Sequence, residues 1–139
     1  MNHLGRTVIG FAALTALLLS VVGCGKDTQS ARDFIAAKYS RATSLDQVND
    51  GRAYTAALAP AAVGNAIAAA EKPLDNRRVG DRTYLQYRND IVTVAPHGTG
   101  SMILVDQYGN GYRRHHSTVS GFGWPSQPPG SEYRSQGGK

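Results

Sequence analysis

The densest run of chemically capable side chains is Arg113-Arg114-His115-His116. Guanidinium groups grip phosphate or carboxylate in a two-pronged fork, so Arg113 and Arg114 are candidate anion contacts. Read as a strand, the run divides: Arg113 and His115 face one way, Arg114 and His116 the other. A charged, solvated edge strand then accounts for it without any ligand. The same alternation stops His115 and His116 from sharing one metal ion, and His97 would need one of them as its partner. No carboxylate stands at a ligand offset, so no metal site is expected. Arg77 and Arg78, followed by Arg82, form a second basic group and a second candidate anion contact, diluted by Asp75 and Asp81. Catalytic patterns are missing. No serine lies in Gly-x-Ser-x-Gly. Asp50, Asp81, Asp90 and Asp106 fall at predicted turns, where aspartate is expected for turn chemistry. Gly98-Thr99-Gly100 is a turn with no helix after it, so it cradles no phosphate. No cofactor is expected.

The other reactive group is the lone thiol, Cys24. It cannot form an intramolecular disulfide. Ahead of it stand one basic residue, Arg6, and sixteen residues without an ionisable group, Thr7 to Val22. A membrane-spanning helix needs about twenty residues, so this length reads as a secretory hydrophobic core. The run ends Val21-Val22-Gly23-Cys24, which resembles the lipobox of bacterial lipoprotein signal peptides. The resemblance implies thioether attachment of a diacylglyceryl group to Cys24, cleavage just before it, and acylation of the new amine. Residues 1–23 are then a signal peptide and Cys24 carries two or three acyl chains. A buried methylene contributes about 0.8 kcal/mol, so two chains hold a protein stably at a membrane where one does not. The alternative, an uncleaved amino-terminal anchor, leaves the cysteine incidental.

Cleavage would remove Arg6 and leave 14 basic against 10 acidic side chains. That mild excess favours an anionic headgroup or wall polymer outside the cytoplasm, and nothing resembles a nucleic-acid module. Residues 24–29 read as a lipidated tether and 117–139 as a disordered tail. Thirteen of the 23 tail residues are Gly, Ser or Pro, a composition too poor in apolar surface to offset ordering entropy. Within that tail, Phe122 and Trp124 either insert at an interface or fold back over the core. Residues 30–116 remain as the folded domain, small enough to need an economical core.

Ser30-Ala-Arg-Asp33 has the spacing of a capping box, and Phe34, Ile35 and Tyr39 follow at helical spacing, which predicts a helix over 31–40. Asn49-Asp50-Gly51 signals a turn, and a short strand is expected around Tyr54. Pro60 suits the start of a second helix, whose seven alanines between Ala59 and Ala70 make it thin. Pro73 to Arg82 reads as loop. Strands follow over 83–88, 91–95 and 101–106, with 111–116 as the edge. The sum is α+β: two helices on a small antiparallel β-meander.

This order of lipobox, early helix, alanine-rich helix, Tyr-Arg-Asn-Asp-Ile-Val segment and ILVDQYGNGYRR hairpin resembles a family of small bacterial lipoproteins classed only as a domain of unknown function. The resemblance spans most of residues 24–125 and implies no catalytic residue. The chain is therefore expected at the extracytoplasmic face of the cell membrane, lipid-anchored. It would act as a non-enzymatic module that binds an envelope protein or an anionic wall or headgroup component. The alternative is a small envelope hydrolase or ligand carrier. A deep pocket lined by several of His97, His115, Arg52 and Asp106 would favour that alternative, and a flat apolar sheet face the binding module.

Overall fold

The computed structural model describes residues 30–131. The predicted signal peptide, Cys24 and the tether lie outside the described residues, as do 132–139. Helix α1 (Ala31–Lys38) starts where expected: the Asp33 N–H donates to the Ser30 hydroxyl at 3.2 Å, and that hydroxyl donates to the Asp33 carboxylate at 2.7 Å. Strand β1 (Ser40–Arg41) and a 3-10 turn lead to β2 (Arg52–Ala56). Between them Asn49 and Asp50 adopt φ of 61° and 69°, the left-handed pair a tight turn requires, and Gln47 bridges Gly51. Helix α2 (Pro60–Ala70) opens on its proline.

Strands β3 (Asp75–Val79), β4 (Arg82–Gln86), β5 (Asp90–His97) and β6 (Gly100–Gln107) follow as an antiparallel meander. β2 returns to pair with β6, giving one sheet in the order β1-β2-β6-β5-β4-β3. The α+β class stands. Pro73 to Arg82, expected as loop, contains β3. Its polar residues sit on the sheet edge, where an exposed strand shows no apolar alternation to read.

Register assigns the faces. Tyr54, Ile103 and Val94 are paired neighbours on one face, as are Val105, Val92 and Leu85. Ala31 and Ile35 of α1 and Val63 and Ile67 of α2 close over them. α2 lies close because Gly64 leaves room: a Cβ there would sit 2.8 Å from Thr83 Cγ2.

The opposite face carries Ala53, Leu104, Thr93, Tyr84 and Arg77 in one row and Asp106, Ile91, Gln86 and Asp75 in the next. Here the structure corrects the expected edge strand. Tyr108–Arg114 is helix α3 and His116–Val119 is helix α4, both on this second face. Glycines and charges disguised them. α3 helps cover Ile91, and Gly111 permits its approach: a Cβ there would meet Ile91 Cβ at 2.8 Å and Asp106 Cβ at 3.0 Å. The expected tail is corrected too, as far as it is described. Val119 and Trp124 are buried, Phe122 packs beside them, and the Trp124 indole N–H donates to Asp75 at 2.8 Å. Breaker residues set the path of this segment while three apolar side chains anchor it.

Gly111→Ala is expected to destabilise by about 1–3 kcal/mol through overpacking, despite the better helix propensity of alanine. Gly121→Ala, with nothing within 4 Å of the new Cβ, should change stability by less than about 0.5 kcal/mol. Denaturant titration of the two variants measures the contrast.

Candidate functional site

The helical turn brings together what a strand would have separated. Asp106 projects from β6 onto the second face and is wholly buried. Arg114, at the end of α3, reaches back over it: Nε donates to the two carboxylate oxygens at 3.1 and 3.3 Å, and Nη2 to Oδ1 at 3.0 Å. Nη2 also donates to the Val48 carbonyl at 2.5 Å, which fastens the 47–51 turn to α3. The next residue, His115, places Nε2 3.1 Å from Thr93 Oγ1 and 3.9 Å from Asp106 Oδ2. Its ring stands edge-on to Tyr84 at 5.6 Å, and Tyr84 in turn packs on Phe122.

Beside this cluster α3 stops covering the sheet, and a cavity of about 230 Å³ remains. Ala95, Met102 and Leu104 give it an apolar floor, with Thr93 among them. Gln47, Arg82, Arg114 and His115 form its rim. A larger hollow of about 410 Å³ lies near Asn89 and Tyr108, but its one guanidinium, Arg32, is already spent on Asp90 at 2.7 Å.

Most of the basic residues picked out in the sequence do not converge. Arg113 faces solvent and bonds the Asn110 side chain. Arg77 pairs with Asp75 at 2.8 Å, and Arg78 lies one position on, on the opposite face of β3. Each of the two basic groups sends one residue to the cavity, Arg114 from the first and Arg82 from the second. Of the four pocket residues named in advance, His115 lines the cavity and Asp106 lies behind Arg114. His97 sits exposed at the end of β5, and Arg52 is exposed near Asp50. Among the described residues, no three metal-binding side chains converge.

A family model described as Domain of unknown function (DUF4247) matches residues 17–138. The chain belongs to this family. No curated protein and no solved structure matches it. In this DUF4247 chain the cavity, with the buried pair behind it, is the site that geometry singles out.

The electrostatics there follow from burial and from the neighbouring guanidiniums. Burial, then the neighbouring Arg114 and Arg82 charges, push the His115 imidazolium down to about 4, so the ring is neutral at pH 7. Burial pushes the Asp106 carboxyl above its ordinary value, and the three Arg114 bonds oppose that rise without reversing it. Thr93 and Asp106 both meet His115 through the same ring nitrogen. A nucleophile–base–carboxylate relay needs the two on opposite nitrogens, so these three do not form one.

Two outcomes test this account. Arg114→Met should cost about 3–5 kcal/mol by stranding a buried carboxylate, and adding Asp106→Leu should restore most of it. Chemical denaturation of both variants decides. His115 binds its proton more readily unfolded than folded. The native chain should therefore lose about 3 kcal/mol of stability as pH falls from 6.5 to 4 on this account. His115→Gln should lack that share of the loss, read as the difference between the two stability–pH curves.

Proposed function

We propose that the chain is a lipid-anchored extracytoplasmic module that acts by binding, not by catalysis. The anchor reading rests on the uncharged run ending Val21-Val22-Gly23-Cys24. No helix among the described residues is long and apolar enough to cross a membrane, so the thioether and acyl chains at Cys24 would supply the hold. The described fold begins with the Ser30 cap. Six tether residues, fully extended, keep it within about 20 Å of the lipid surface.

The observation that carries the binding reading is the state of the polar groups at the cavity. Asp106 is neutralised by Arg114, and His115 is held neutral against Thr93. A group that must shuttle protons near pH 7 needs a titration point near that pH, and His115, pushed down to about 4, does not offer one. A neutral imidazole and a paired carboxylate beside an apolar floor are what a recognition pocket uses. The wall or headgroup partner expected from net charge gains no support from Arg77, Arg78 or Arg113, which point apart. The ligand-carrier alternative gains support from the cavity.

Intact-mass measurement of the chain extracted from bacterial membranes tests the anchor. The expected species lacks residues 1–23 and carries diacylglyceryl mass on Cys24, with or without a third acyl group. Cys24→Ala should abolish both changes. A native chain that keeps residues 1–23 without an acyl adduct overturns the proposal.

A further inference from the structure

The cavity's charge and shape restrict what can occupy it. Two guanidiniums stand on its rim, but they are not equivalent. Arg114 is matched by Asp106. Arg82 makes no ion pair and no side-chain hydrogen bond among the described residues. With His115 neutral, the rim holds close to one uncompensated positive charge. A phosphate dianion would bring one charge too many onto an apolar floor, and burying an unmatched charge is costly. A neutral ligand would leave Arg82 unanswered. One carboxylate matches it, and the planar guanidinium accepts such a group through two parallel hydrogen bonds.

Two further donors lie near. The Asp106 carboxylate, 3.9 Å from His115 Nε2, favours the tautomer with its proton on that nitrogen. That N–H then donates to Thr93 Oγ1 and frees the threonine hydroxyl to donate in turn. The Gln47 amide stands across the rim. Below them Ala95, Met102 and Leu104 offer only carbon and sulfur. At about 30 Å³ for each water-sized atom, the volume holds roughly eight heavy atoms.

We propose that this cavity binds a carboxylate with an apolar body of about half a dozen carbons, Arg82 taking the charge and Met102 and Leu104 the body. The same chemistry is presented by a free short-chain acid and by the carboxyl terminus of a peptide ending in an aliphatic residue. The inference deepens the binding reading and rests on it. It is independent of the anchor at Cys24.

Met102 provides the readout. The chain has two methionines, Met1 and Met102, and only Met102 survives the proposed cleavage before Cys24, so methyl-labelled methionine in the detergent-held chain reports on the cavity through that one resonance. Hexanoate is expected to shift the Met102 signal saturably. Hexanamide and inorganic phosphate should need at least tenfold higher concentration for the same shift. Arg82→Gln, on an exposed side chain, should weaken hexanoate at least tenfold. N-acetyl-alanyl-leucine and its carboxamide form the second arm. Tighter binding of that acid than of hexanoate assigns the ligand to a chain terminus, and the reverse to a free acid.

The carboxylate assignment is overturned if hexanamide or phosphate matches both acids, or if Arg82→Gln leaves their midpoints unchanged. In that event saturable binding of phosphate or amide at Met102 still upholds a recognition pocket. If none of these probes shifts Met102, the binding reading falls with the assignment.

Discussion

The second face of this sheet is organised around one buried ion pair. Asp106 lies on a strand in the middle of the sheet, fully removed from water, and such a carboxylate is tolerable only if a cation comes with it. Arg114 is that cation, and supplying it has geometric consequences. Its backbone must run back across β5 and β6, so residues 108–114 turn over the sheet instead of extending its edge. Gly111 has to face Ile91 and Asp106, since any side chain there would hold the helix off. The second Nη2 bond, to Val48, draws the 47–51 turn to the same point. Strand β6, helix α3 and the distant 47–51 turn thus meet at one guanidinium.

The tail obeys the same logic with weaker bonds. Gln86 is another buried polar residue on this face, and its amide donates to the Tyr108 hydroxyl at 2.9 Å. That hydroxyl donates to the Pro125 carbonyl at 2.9 Å, and the Trp124 indole reaches Asp75. Each buried polar group hands its unused valence to the next segment outward. Phe122 and Trp124 fill the space between, ring edge to ring face at 5.4 Å. A segment rich in glycine and proline is therefore ordered by side chains that composition averages away.

This explains which parts of the fold could be read in advance. Helices α1 and α2 and strands β4 to β6 bury apolar side chains at regular spacing, and that spacing is a local property of the sequence. β3 shows no apolar alternation because all but its first residue are exposed. It exists because β4 offers a free edge, a fact about another segment. The run 111–116 reads as an edge strand because it carries the kind of charged side chains that blunt one. Its helical state is imposed by Asp106, eight positions before Arg114. Asp106 itself looked like a turn residue, since nothing local tells a turn aspartate from a buried one. The partnership of Arg82 with Arg114 was beyond reach for the same reason: the register of β4 on β5 and the return of α3 jointly create it.

The cavity follows from how much sheet two short helices can cover. α3 and α4 have seven and four residues, a combined axial length of about 16 Å at 1.5 Å per residue. They seal the rows around Ile91 and Tyr84 and end before Met102 and Ala95. Extending α3 further would carry it off the sheet, because the Arg114 bonds fix its last turn above Asp106. The uncovered strip is bounded by Gln47 on one side and His115 on the other, both held in place by the ion pair. The stability of the face and the shape of the cavity therefore depend on one residue: the contact that lets a buried charge exist also decides where the covering layer stops and leaves Arg82 facing an unfilled space.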